Sequence, residues 1–236
     1  MPEYITDFQW TAVIQIIVID ILLGGDNAVV IALACRNLEP KQRTQGMIYG
    51  TLGAVILRVI LVSFAVVLLD IPFLKMLGGL LLLYIGIKLL QPEDDARDTI
   101  HASDRLLSAV KTIILADLVM SIDNVVAIAG AAENAPSGHR IFLVILGLIV
   151  SIPLVVSGSA LLLKVIERVP MIVIGGAGLL GWIAGGLIID DPFVDRFDWL
   201  QSDFVNYLSC ALGAAIVICA GLGIKSIKAK RKAAQA

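Results

Sequence analysis

Two stretches of this chain place carboxylates inside long apolar runs. The first, from Asp20 to Ala34, reads D-I-L-L-G-G-D-N-A-V-V-I-A-L-A, and the second, from Asp117, reads D-L-V-M-S-I-D-N-V-V-A-I-A-G-A. In each, a second Asp follows the first by six residues and is itself followed by Asn, so Asp20, Asp26 and Asn27 correspond to Asp117, Asp123 and Asn124 at a common offset of 97. Carboxylate and amide oxygens suit hard divalent ions such as Mg²⁺, Ca²⁺ and Mn²⁺, whereas zinc or copper sites draw on His or Cys. Neither His nor Cys occurs within the two stretches. Met120 offers a soft thioether one turn after Asp117, or simply fills apolar space.

The apolar setting makes these acids expensive. A carboxylate at the centre of a bilayer costs roughly 2.5 to 3.5 kcal/mol, so four left ionised and unpaired would cost roughly 10 to 14 kcal/mol. Something must neutralise them. Protonation, a bound cation and Arg58 are the candidates, Arg58 being the one basic residue expected within the membrane core. A purely structural ion pair is the plainer role for that arginine.

The elements that must position these groups follow from composition. Hydrophobic residues make up 58% of 236 positions, with a mean hydropathy of +0.94, well above the apolar share of soluble domains. The chain is expected to be an all-α membrane protein with about seven transmembrane helices, at about 10–35, 46–69, 73–90, 106–132, 141–163, 171–189 and 204–224. The N-terminus lacks the basic stretch of a signal peptide, so the first helix is expected to stay. Gly50 maps onto Gly147, and Gly78-Gly79 onto Gly175-Gly176, by the same offset of 97. Helices 1–3 and 4–6 therefore form one repeated unit. Three spans per unit force the two copies to enter the membrane from opposite sides, an inverted repeat of the kind secondary transporters use.

The expected organisation is a first three-helix repeat (1–90), an acidic cytoplasmic linker (91–105), a second, inverted three-helix repeat (106–189), an outer acidic loop (190–203), and a seventh helix with a basic cytoplasmic tail (204–236). Lys and Arg concentrate in 36–45, 88–105, 164–170 and the tail from Lys225, against only Lys75, Arg140 and Arg196 in the opposite loops. The positive-inside rule then puts the N-terminus outside and the C-terminus in the cytosol of a cell membrane. Both acidic loops read as water-facing. The small residues of the seventh helix, Gly213, Ala214, Ala215, Ala220, Gly221 and Gly223, suit either a homodimer contact or support of the bundle. Cys35, Cys210 and Cys219 show no metal or redox spacing and are expected to be reduced.

Helix direction places Asp20 at the depth of Asp123 and Asp26 at that of Asp117, giving two carboxylate levels about 9 Å apart. On an unbroken helix Asp26 would sit about 120° around from Asp20. Either the helix is interrupted, for which Gly24-Gly25 gives grounds and Ser121-Ile122 weaker ones, or the two acids face different neighbours. Unwound carbonyls at the glycines would then be available to a cation.

The doubled motif, D-x5-D-N-A-V-V-I-A followed by D-x5-D-N-V-V-A-I-A, resembles the TerC family of integral membrane proteins, within the wider LysE transporter superfamily. The resemblance covers nearly the whole chain. It implies a bundle of about seven transmembrane helices and, for the small members to which this chain is most similar, export of Mn²⁺ from the cytosol. Carried onto this sequence, the metal-site residues it implies are Asp20, Asp26, Asn27, Asp117, Asp123 and Asn124. Many members carry Ser where this chain has Asn124, a departure that separates it from the tellurite-associated branch.

Three functions compete. In the first, a secondary exporter, outward movement of two charges against an inside-negative potential costs about 4.6 kcal/mol per 100 mV. A coupling ion is therefore needed, and G-L-G-I-K-S at 221–226 is not a Walker A motif. Cation antiport on the same carboxylates is the expected mechanism, with Mn²⁺ as cargo, no permanent cofactor, no nucleic-acid partner and no enzymatic activity. The second is a non-transporting membrane partner that holds metal for other proteins or helps assemble them. The third is an intramembrane aspartyl protease, against which four acids in a symmetric repeat exceed what a dyad needs.

Overall fold

The computed structural model describes residues 10–64, 68, 71–91, 102–133, 140–197, 200 and 202–233. Among these run eight α-helices: α1 (Trp10–Leu23), α2 (Gly25–Cys35), α3 (Pro40–Ser63), α4 (Leu74–Leu90), α5 (Ala102–Glu133), α6 (Arg140–Arg168), α7 (Met171–Ile189) and α8 (Asp203–Ala233). A 3-10 turn covers Val194–Arg196, and no strand occurs among the described residues. Several helices outrun the expected apolar segments. α3 starts at Pro40 rather than 46 and α8 runs on to Ala233, because hydropathy registers only the apolar part of a helix whose polar turns continue into water.

By length and composition α3, α6, α7 and α8 can each cross a bilayer, and α1 with α2 makes a fifth crossing if taken as one bent span. The 17 residues of α4 rise about 26 Å, a little short of a typical hydrocarbon core. α5 is long enough but carries Asp117 and Asp123 at its centre. Large apolar side chains point outward on many helices, among them Ile56, Leu77, Leu161 and Phe204. A soluble surface rarely tolerates so much exposed apolar area; the protein is an integral, multi-pass membrane protein.

The first expected helix is two. α1 and α2 meet at Gly24 with a 51° change of direction between Ile14–Asp20 and Gly25–Cys35. α5, by contrast, runs unbroken through Ser121-Ile122. The packing then crosses between the sequence repeats: α3 lies along α5, while α6 lies along α1 and α2. α4 and α7 pack on each other, and α8 covers both.

On α8 two of the small residues, Gly213 and Gly221, pack inside the chain, while Ala215 and Gly223 are exposed. A Cβ on Gly213 would fall 2.1 Å from the Gly181 carbonyl oxygen, and one on Gly185 would fall 2.2 Å from the Ser209 carbonyl oxygen, so the α7 and α8 backbones touch. Gly221 makes room for the Leu90 side chain of α4.

The two ends of the bundle differ. At one, Arg36 donates through Nη2 to the Leu89 carbonyl (2.8 Å), Arg43 pairs with Glu167, and Lys228 reaches Gln91. At the other, Asp190 and Asp203 are exposed, whereas Asp191 departs from the expectation of a water-facing residue. It is fully buried and accepts backbone N–H bonds from Phe73 (2.9 Å), Met76 (3.1 Å) and Phe193 (2.9 Å), the first two at the start of α4. Asp190 also has a partner, accepting from the Asn206 side-chain amide at 3.1 Å. Residues 92–101 of the expected acidic linker, like the side chains of Asp195 and Asp198, lie outside the described residues.

Candidate cation site

The centre of the bundle is organised by Arg58, which is 4% exposed on α3. Its guanidinium spans the two repeats: Nη1 donates to Asp20 Oδ1 on α1 and Nη2 to Asp117 Oδ1 on α5, both as ion pairs. Its Nε donates to Ser121 Oγ at 3.0 Å, and that hydroxyl donates onward to Asp117 Oδ2 at 3.0 Å. On the other flank the Ser151 hydroxyl of α6 is within hydrogen-bond reach of both Asp20 Oδ2 and the Leu148 carbonyl. With one hydrogen, it serves one of these acceptors at a time.

This arrangement corrects the two separate levels read for Asp20 and Asp117 from helix direction. The two acids meet around one group; the side chain of Asp123, expected at the depth of Asp20, lies outside the described residues. Depth counted along a straight axis fails here because the first span bends at Gly24, whose backbone is crowded: a Cβ there would lie 2.3 Å from the Asp20 carbonyl oxygen. Gly25 has open space. The free Gly24 carbonyl that a break might have offered accepts from the Ala28 N–H at 3.3 Å.

Beside the clamp lies a cavity of about 20 Å³, room for one water or one bare ion. Asp20, Asn27, Thr51, Arg58, Asp117 and Ser151 supply its polar lining, with Val30, Ile31, Ile113 and Val155 among its apolar neighbours. Thr51 precedes Arg58 on α3, Ile113 precedes Asp117 on α5, and Asn27 follows Asp20. The cavity therefore sits on the side of the clamp nearer the end that holds Arg36 and Arg43. Towards the other end an apolar cluster of Ile16, Ile128, Leu143, Val144 and Leu148 closes the bundle.

Two cavity oxygens stand out. Asn27 Oδ1 and Thr51 Oγ1 are buried and have no hydrogen-bond partner, in residues that are 6% and 4% exposed. Buried polar atoms are normally satisfied, so an orphan invites an explanation. Two uncommitted oxygen acceptors next to two carboxylates form a donor set for a hard cation. Among the described residues no three His, Cys, Asp or Glu side chains gather into a metal cluster.

Of the residues read from the sequence, Asp20, Asn27 and Asp117 line this cavity. Asp26 does not: half-buried in the first turn of α2, it accepts the Asn27 N–H on Oδ1 at 2.8 Å, where a carboxylate favours the positive end of the helix dipole. Asn124 is half-buried on α5 outside the lining, and the Asp123 side chain lies outside the described residues. Met120 packs in the core with Val30, Leu82 and Leu180. Sequence reasoning missed Ser121 as a partner, Ser151 and Thr51. Single hydroxyls carry no motif, and Ser151 and Thr51 fall opposite Ala54 and Leu148 at the repeat offset, so symmetry does not flag them.

The comparisons with known proteins agree with the motif. The chain is 43% identical to the membrane protein YjbE of Bacillus subtilis (strain 168) over 217 residues, covering 92% of this chain and 96% of that one. It is 26% identical to YceF of the same organism, over 77% and 72% of the two chains. It is 27% identical to the UPF0053 protein YegH of Escherichia coli (strain K12), of which it spans 42%. No solved structure matches the chain. Residues 5–232 match the integral membrane protein TerC family, and the chain belongs to that family.

Proposed function

We propose that the protein is a secondary transporter exporting a divalent metal ion, Mn²⁺ first among them, from the cytosol by cation antiport. The observation that carries this reading is the pair of unpartnered buried oxygens, Asn27 Oδ1 and Thr51 Oγ1, in a cavity walled by Asp20 and Asp117. An all-oxygen donor set favours Mn²⁺, Mg²⁺ or Ca²⁺ over zinc and copper. Mn²⁺ is taken from the family resemblance. The family resemblance adds Asp26, Asp123 and Asn124 to the proposed ligand set.

In the proposed architecture α1 with α2, α3 and α4 form one repeat, α5, α6 and α7 its inverted copy, and α8 the seventh span. The crossed packing supports this, since the second span of each repeat lies on the first span of the other. So does a site at the repeat interface, where inverted-repeat transporters place theirs. The end holding Arg36, Arg43 and Lys228 is assigned to the cytosol by its positive charge. The cavity then lies on the cytosolic side of the clamp, where an exporter loads.

Reconstitution decides the matter. Vesicles loaded with Mn²⁺ and containing the inward-facing protein should release it with counter-movement of protons or Na⁺, and Asp117→Asn should abolish both fluxes. Vesicles in which the wild type binds Mn²⁺ but moves none would leave a metal-holding partner as the function.

A further inference from the structure

All four carboxylate oxygens around the clamp already have a donor within reach. On Asp20 these are Arg58 Nη1 and the Ser151 hydroxyl; on Asp117 they are Arg58 Nη2 and the Ser121 hydroxyl. The oxygens left without a partner are others, Asn27 Oδ1 and Thr51 Oγ1, on the cytosolic side of the same cavity. A guanidinium is donor-only and always charged. Its charge repels a dication brought to the same carboxylates, so the two compete for them.

We propose that Asn27 and Thr51 form an entry subsite for a hard divalent cation, separate from the carboxylate pair, and that Arg58 is the built-in competitor the ion must displace to reach Asp20 and Asp117. This rests on the transport reading above. Ser151 makes the first step accessible. Its hydroxyl has a second acceptor, the Leu148 carbonyl at 2.8 Å, so it can release Asp20 Oδ2 without being left unpaired. An ion held by Asn27 and Thr51 gains that oxygen first, and the guanidinium then loses its hold on a carboxylate the ion has taken. At low metal concentration Arg58 holds both carboxylates, offsetting one of their two charges, and keeps the site closed. At high concentration metal replaces it, giving an exporter that engages only when its cargo is abundant.

The test is Mn²⁺ binding to the purified full chain in lipid nanodiscs, read from the electron paramagnetic resonance signal of free Mn²⁺, alongside efflux from vesicles. Arg58→Met should bind Mn²⁺ at least tenfold more tightly than wild type yet export it more slowly, since nothing then drives the ion off. Arg58→Lys should fall between the two, because an ammonium is a point charge without the guanidinium fork. Thr51→Val, close in shape and lacking only the hydroxyl, should weaken binding severalfold in both the wild-type and the Arg58→Met backgrounds. A folded Arg58→Met that binds no more tightly than wild type overturns the competition, and if that variant does not fold, unchanged affinity in Arg58→Lys does so instead. Unchanged affinity in Thr51→Val overturns the entry subsite. Failure of the wild type to move Mn²⁺ would instead sink the transport reading itself.

Discussion

Asp20 and Asp117 share one guanidinium, each accepting from a different Nη atom of Arg58, so a single side chain ties together α1 and α5, the helices that carry the leading acids of the two Asp motifs. Removing one partner of a buried ion pair leaves an uncompensated charge and costs about 3 to 5 kcal/mol. Asp117→Asn should therefore lower stability by about that amount, measured by thermal unfolding in detergent micelles. Combining it with Arg58→Met should cost less than the sum of the single changes, because groups in one network couple. Strict additivity would show that the three groups do not act as a unit.

The two glycines of the first span should behave differently although they are neighbours. A methyl group at Gly24 would meet the Asp20 carbonyl oxygen at 2.3 Å, whereas at Gly25 nothing lies within 4 Å. Gly24→Ala must shift the break and with it the Asp20 carboxylate, so Mn²⁺ binding should fall at least tenfold. Gly25→Ala should bind as wild type does. Equal effects of the two changes on a binding titration would show that the break does not position Asp20.

Asp191 should contribute a pH-dependent share of stability from outside the membrane span. Burial by itself would raise its pKa, but backbone N–H groups of Phe193, Phe73 and Met76 outweigh that and hold the carboxyl below the usual aspartate value. A depressed folded pKa stabilises the protein fully above the unfolded value of about 3.9, and the gain is lost as pH falls through the lower folded value. Asp191→Ala, which removes the acceptor from the first turn of α4, should cost about 1 to 3 kcal/mol at neutral pH. Unfolding temperatures recorded from pH 6 downward should converge for wild type and variant in the acid range. Parallel curves would mean that the carboxylate titrates as an ordinary surface acid.

The end contacts show how far pattern alone reaches. Both acidic loops read alike as water-facing stretches rich in Asp. Yet Asp191 is buried at the start of α4, because a loop carboxylate can satisfy backbone donors of a helix far along the chain, and charge content does not reveal where those donors lie. The small residues of α8 were equally ambiguous. Gly213 against Gly181 puts that glycine in packing within the chain, which needed the relative position of two helices, while Ala215 and Gly223 stay exposed.

What the sequence determined by itself was everything that depends on local chemistry along one axis. Hydropathy made the chain an all-helical membrane protein, the constant offset of 97 paired Asp20, Asp26 and Asn27 with Asp117, Asp123 and Asn124, and the isolation of Arg58 among apolar residues marked it as a counter-charge. The tertiary structure alone decided which acids meet. Residue counting gives depth along a straight helix, but the bend at Gly24 and the packing of both α1 and α3 on α5 bring Asp20 and Asp117 to the same guanidinium. It also decided which neutral oxygens join them. Thr51 and Ser151 acquire a role only because helices distant in sequence turn them toward one cavity, and a lone hydroxyl in an apolar helix carries no sign of its neighbours.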